Sequence, residues 1–256
     1  MFEHGPKALI VDLAFWSQGL MNPSYPLDQL GKLANEVSDK FRALAIMQLL
    51  TEGNTDLFLH NLMRSGRSRE TYLQRLKDAG VSADFDQVSG RFSPLLDAIA
   101  ANDLDRARRI ASLSPSDFRS GYEYEDDYCY GQLLRLLLAD VDPSESELIT
   151  LFERYERWLD GEASPRLAVC MALAQRNQRD FDTALDDLLL FFELSIQADK
   201  ERGRHEDDCV IAERQVCVEA LAILRLAGLR NLTTAEEYRY CPSLARVPMQ
   251  RPFPAI

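Results

Sequence analysis

The sequence predicts an all-α fold, built from stacked antiparallel helical hairpins in an irregular, repeat-like domain. Three observations point there. Apolar residues recur at spacings of three and four along most of the chain, the period of a helix with one buried face. Sustained strand alternation is absent; the nearest stretch, Val81-Ser82-Ala83-Asp84-Phe85, is too short to carry a sheet. The breakers Asn22-Pro23-Ser24-Tyr25-Pro26, Glu52-Gly53-Asn54 and Gly80 fall between periodic segments. With 256 residues and 46% hydrophobic content the chain can bury a sizeable core. A single domain over 1–256 is expected, divisible into an N-terminal subregion 1–90, a helical-hairpin subregion 91–240 and a tail 241–256.

Taken in order, a first helix is expected over about 7–20, up to the Asn-Pro break. A second runs over about 27–51, with Leu27, Leu30, Leu33, Ala34, Val37, Phe41, Leu44, Ala45 and Leu49 on one stripe, and Gly53 closes it. A third covers about 55–79, with Phe58, Leu62, Tyr72, Leu73 and Leu76, and ends at Gly80. Ser93-Pro94 opens a fourth, because proline suits a first turn, and Asp103 opens its partner. Further helices are expected at about 127–139, 144–159, 165–177, 181–198, 209–229 and 234–239, for about ten in all. The core should include Leu44, Phe58, Leu62, Leu96, Leu134, Leu137, Leu173, Leu189, Leu221 and Leu224.

One internal similarity stands out. Ala98-Ile99-Ala100-Ala101 precedes Asp103-Leu104-Asp105-Arg106-Ala107, and Ala172-Leu173-Ala174-Gln175 precedes Asp180-Phe181-Asp182-Thr183-Ala184. Both read as a small-residue helix, a polar turn, and a second helix capped by aspartate, with an alanine that admits close approach. Stacked helical hairpins are built this way.

Formal net charge is -12. That excludes a nucleic-acid or anionic-membrane binder, since neutralising phosphate needs clustered Lys and Arg. It suits a basic protein partner and speeds encounter with one, although acidity also serves solubility alone. Five cysteines, Cys129, Cys170, Cys209, Cys217 and Cys241, stand at scattered spacings. Cys170 and Cys217 lie in apolar runs, as buried free thiols of a reducing compartment do. The N-terminus, with Glu3 early and Asp12 in its apolar part, lacks the form of a signal peptide, and no uncharged run reaches membrane-spanning length. A cytoplasmic protein is expected.

The motifs of common chemistries are missing. There is no phosphate loop, dinucleotide fingerprint, nucleophile elbow, His-Glu-x-x-His or Cys-x-x-Cys, and the histidines His4, His60 and His205 are far apart. His205-Glu206-Asp207-Asp208-Cys209 offers metal-ligand types crowded on one short loop, where Asp207 or Asp208 serves equally as a helix cap. The acid pairs Glu125/Asp126 and Asp186/Asp187 point apart on a helix. Arg64-Ser65-Gly66-Arg67-Ser68-Arg69 is expected to pair with acids of a neighbouring helix. No catalytic residue, metal or cofactor is expected.

The stretch 121–140, GYEYEDDYCYGQLLRLLLAD, crowds acids and tyrosines before an apolar helix. Acids at a helix start complement its dipole, so an ordinary solvated start accounts for them. The alternative is a surface for a basic partner, contacted through Tyr122, Glu123, Tyr124, Glu125, Asp126 and Asp127. Glu201–Asp208, with Glu206, Asp207 and Asp208, is a second candidate, its sign diluted by Lys200, Arg202 and Arg204.

The run Asp56-Leu57-Phe58-Leu59-His60-Asn61-Leu62-Met63-Arg64-Ser65-Gly66-Arg67-Ser68-Arg69-Glu70-Thr71-Tyr72-Leu73 resembles a stretch of the immunity protein 49 family. So does Val218-Glu219-Ala220-Leu221-Ala222-Ile223-Leu224-Arg225-Leu226-Ala227-Gly228-Leu229, followed by Tyr238 and Cys241-Pro242-Ser243, for a similarity spanning roughly 25–245. The resemblance implies a mostly helical protein without shared catalytic residues, encoded beside a toxin of a bacterial polymorphic or type VI secretion system. Such a protein protects its producer by binding that toxin. A toxin countered in the cytoplasm suggests a nuclease, with a DNase favoured, whose positive cleft an acidic surface with aromatic anchors would fill. A helical scaffold for peptides or proteins, and an enzyme using carboxylates alone, stay as alternatives; oligomeric state is open.

Overall fold

In the computed structural model, which describes residues 2, 5–81, 85–139, 142–203 and 207–254, the apolar periodicity resolves into eleven α-helices. They are α1 (Gly5–Met21), α2 (Leu27–Glu52), α3 (Thr55–Ala79), α4 (Ser93–Ala100), α5 (Leu104–Leu113), α6 (Glu125–Leu137), α7 (Glu145–Leu159), α8 (Pro165–Gln175), α9 (Gln178–Glu201), α10 (Asp208–Glu213) and α11 (Val218–Leu229). A 3-10 turn follows at Ser243–Arg246. The fold is all-α; among the described residues the only β pairing is an isolated bridge between Tyr238 and Cys241. Of the stretch 81–85, residues 82–84 lie outside the described residues.

Local chemistry sets the boundaries. Asn54 caps α3 by accepting from the Leu57 N–H, and Ser144 and Glu147 form a reciprocal capping box on α7. Ser164 caps α8, with Pro165 in its first turn. Gly53 and Gly80 end α2 and α3 in the left-handed conformation. With only Gly53 and Asn54 between them, α2 and α3 fold back on one another, and α8 and α9 do the same across Arg176 and Asn177.

The two similar turns align differently from the sequence expectation. Asp103 does cap α5, accepting from the Arg106 N–H. In the second copy Asn177 is the cap and Asp180 lies a turn inside the helix, its own N–H donated to Asn177. The equivalent pairs are Asn102-Asp103 and Arg176-Asn177, with Asn102 and Arg176 both at positive φ. Ala107 and Ala184 are buried as expected.

Two further expectations fail for tertiary reasons. The helix expected at 209–229 is broken between α10 and α11: the Cys217 N–H donates to the Tyr240 carbonyl, and the Cys217 carbonyl accepts from the Cys241 thiol. The helix expected at 234–239 does not form. Arg246 donates to the carbonyls of Ala235 and Glu236 and to Thr234 Oγ1, taking acceptors a helix would use.

All ten expected core residues are buried, within one apolar cluster that runs from Leu9 to Ala245. Its centre is the α2–α3 hairpin, flanked by α1, by α4 and α5, and by α10. The tail returns to α3: Asp56 accepts from the Gln250 and Arg251 N–H groups, and Phe253 stacks edge-on against His60.

Candidate partner interface

The acidic-aromatic stretch sits where the connector 85–92 crosses the start of α6, and three devices hold that connector. Arg69 is almost fully buried and donates to the carbonyls of Asp86, Gln87 and Val88, the last two at 3.0 Å. Gly131 admits the backbone of the connector, since a Cβ there would stand 2.7 Å from the Ser89 carbonyl oxygen. Glu123 closes the third side. Its Oε2 accepts from the Gly90 N–H at 2.8 Å and from Ser89 Oγ at 3.1 Å, and its Oε1 from the Arg119 N–H at 3.1 Å. Arg69, expected to pair with acids of a neighbouring helix, donates to these three backbone carbonyls of the connector.

The acids of the stretch are mostly engaged: beside Glu123, Glu125 accepts from Arg154 Nε of α7 at 2.7 Å, and Asp127 from Arg166 of α8 at 3.3 Å. Burial raises the Asp127 pKa against the opposing pull of Arg166. Tyr122 is 50% and Tyr124 73% exposed, and Asp126, partly exposed, has no hydrogen bond or ion pair among the described residues. Tyr124 takes extended dihedrals at the helix N-cap position, and Glu125, Asp126 and Asp127 follow in the first helical turn. Tyr128 and Tyr130 turn inward. Tyr128 donates to the Ser116 carbonyl under the Arg154 guanidinium; Tyr130 packs edge-on against Phe92 with Arg166 over both rings.

Tyr122 and Tyr124, with the carboxylates of Glu123, Glu125 and Asp127, line a groove of about 610 Å³ that also contains Phe85, Arg91, Phe118 and Trp158. Phe85, Tyr122, Tyr124 and Trp158 make up four of the six strongly exposed aromatic side chains among the described residues, the others being Phe15 and Phe191. Exposed aromatics grouped in this way offer large contact area at little entropic cost, which makes the groove a candidate binding surface. Arg91, lying over the Phe85 ring, is the one basic residue of the groove.

The remaining candidates are engaged elsewhere. Asp207 caps α10 through the Val210 N–H, and Asp208 accepts from the Gly5 N–H. Glu206 and His205 lie outside the described residues, as does His4. Among the described residues no three His, Cys, Asp or Glu side chains are grouped to hold a metal. Asp186 and Asp187 are exposed. The thiols of Cys129, Cys170, Cys217 and Cys241 are buried and unpaired, and burial pushes Cys129 and Cys241 up to about 12.

A second charged cluster, not foreseen from the sequence, joins α2, α3, α4 and α10. Asp97 accepts from Arg42 Nε at 2.7 Å and from Ser65 Oγ at 2.5 Å, which occupies both its oxygens. Nearby, Glu213 lines a cavity of about 160 Å³ with Arg42, Arg166 and Glu219. Burial, reinforced by Asp39 and Asp97 and opposed by Arg42, pushes Glu213 up to about 7. That volume is below the roughly 300–1,000 Å³ of common small-molecule sites.

Sequence reasoning missed Phe85 and Trp158, whose places in the groove depend on tertiary packing. No helix among the described residues is long and apolar enough to cross a membrane. Against known proteins, the model of a family described as immunity protein 49 matches residues 32–245, most of the chain. No curated protein and no solved structure matches it.

Proposed function

The chain belongs to the immunity protein 49 family, and from that premise we propose that it neutralises a cognate secreted toxin in the cytoplasm by seating a basic surface of that toxin on the groove lined by Tyr122, Tyr124 and the carboxylates between and beside them. The observation that carries this reading is the grouping of exposed Phe85, Tyr122, Tyr124 and Trp158 in one groove with the carboxylates of Glu123, Glu125 and Asp127. Aromatic side chains of this kind anchor tight complexes, and the surrounding charge sets rate and specificity. The net charge of -12 suits a basic partner, and a nuclease, a DNase above all, must carry a positive cleft to hold phosphate. We place the contact at 122–126 rather than at 207–208 because Asp207 and Asp208 each hold a backbone N–H within the fold.

Glu123, Glu125 and Asp127 line the same groove and are each held by a partner within the fold. They fix the connector, α7 and α8, and so pre-shape the rim. The test is binding to the toxin domain encoded by the adjacent reading frame, followed at two salt concentrations. Tyr122→Ala with Tyr124→Ala should speed dissociation while thermal melting is unchanged. Wild-type affinity in that double variant would remove the groove from the interface, and failure of the wild type to bind the toxin domain would remove the function.

A further inference from the structure

The last turn of α7 separates two grooves. Trp158 lines the one just described, and Glu156 and Leu159 line another of about 770 Å³ on the opposite side. This second groove has α8 as its floor, with Pro165, Ala168 and Met171, and α9 as its far wall, with Leu190, Phe191 and Leu194. Those three α9 side chains are about half exposed, at 52%, 48% and 52%. They project from one helix face, together with Asp187, at spacings of three and four.

Its shape and charge specify an occupant. α7 and α9 both pack on α8, so the trough between them is the place the next helix of a helical stack would take. α9 has 24 residues and α8 only 11, which at the helical rise makes them about 36 and 16 Å long. The far half of α9 therefore runs past its partner with an apolar face uncovered. Glu156, Glu162 and Asp187 line the groove; each is exposed and without an ion pair among the described residues, and no Lys or Arg lines it. Apolar walls with an unopposed acidic rim complement an amphipathic helix that is apolar on one side and flanked by lysine or arginine.

We propose that this groove docks a basic amphipathic helix of the toxin, so that the partner straddles the end of α7 and fills both grooves. The inference rests on the reading of the chain as a toxin-binding protein. Contact on both sides of α7 spreads the interface over two anchor clusters, each apolar at its centre and acidic at its rim.

The experiment measures binding of the adjacent-frame toxin domain to two variants of the full chain. Ala168→Arg fills the exposed floor of the groove with a long cation that suits a helix, and Glu156→Lys/Glu162→Lys/Asp187→Lys reverses the rim. The first should weaken binding at least tenfold. The second should slow association several-fold, with melting of the free protein unchanged. The rim residues are all exposed, so the triple variant keeps the test valid should Ala168→Arg lower the melting temperature. Wild-type binding by both variants, alongside weakened binding of the Tyr122/Tyr124 variant, overturns this inference and leaves the first groove standing. A wild-type chain that binds no toxin overturns both. A free chain that self-associates through this face, becoming monomeric with Ala168→Arg while its toxin affinity is unchanged, also overturns it, because the groove then belongs to a second copy.

Discussion

The α2–α3 hairpin and the α7–α9 group are built from comparable helices and treat their apolar residues differently. α2 buries thirteen of its 26 residues and α3 twelve of 25. α9 buries five of 24, and α7 only Tyr155 among 15. Position explains the contrast. α2 has neighbours in α1, α3 and α10, whereas α9 rests mainly on α8 and leaves its outer face bare. Grouped exposed apolar residues are the place to look for a partner surface. One part of the molecule thus closes its apolar residues in a core, and the other leaves them open where the proposed contacts fall.

Substitutions on the two sides should separate these roles. Phe58→Ala, in the middle of α3, should cost about 3–5 kcal/mol of stability in denaturant titrations. Phe191→Ala on α9 should stay within about 0.5 kcal/mol of wild type, as exposed positions usually do. Equal losses from both would break the comparison.

A pH series sharpens the closed side. Glu213 stands at the end of α10 against α2, with a folded-state pKa of about 7 against an ordinary 4.5. The folded protein therefore holds a proton that the unfolded chain gives up between those values, and stability falls as pH rises through that window. The protonated contribution is complete below the ordinary value and lost above the folded one, a change of up to about 3 kcal/mol. Glu213→Gln should match wild type near pH 4 and exceed it at pH 8. Melting curves at the two pH values check this, and an unaltered pH slope in the variant would clear Glu213 of the effect.

On the open side the readout is affinity. Tyr124→Ala should weaken toxin binding by ~2 kcal/mol, about thirtyfold, without altering the melt. Tyr130→Ala, in the buried ring stack with Phe92, should lower the melting temperature. The smallest effect is expected from Asp126→Asn. Association should slow by about two- to threefold at low salt and by less at high salt, since one exposed charge contributes mainly steering. Stopped-flow association at two ionic strengths measures it, and a change confined to dissociation would make Asp126 a contact rather than a guide.

Helical periodicity made the core legible: Leu44, Phe58, Leu62 and the other seven expected residues are all buried, because a 3.6-residue stripe is a local property. What escaped was long-range. The break before Cys217 comes from Tyr240, and the failed helix at 234–239 comes from Arg246. The Asn177 cap had a local signal, an asparagine three residues before Asp180, that the apparent repeat obscured. At the candidate interface, six neighbouring residues read from composition as one patch, whereas the fold separates Glu123, Glu125 and Asp127, which hold partners, from the exposed Tyr122 and Tyr124. Phe85 and Trp158 reach the groove from the connector and from α7, and no spacing in the chain announces that meeting.

On the proposed reading, that division sets how the surface can change over generations. Among the described residues the side chains of Tyr122, Tyr124 and Asp126 hold no hydrogen bond or ion pair that their replacement would orphan, while Glu123, Glu125 and Asp127 each hold a partner. A toxin that escaped recognition could then be pursued by rewriting three letters of a six-letter word while the other three keep its shape. Such interleaving would let a single short segment drift in specificity with its geometry inherited intact.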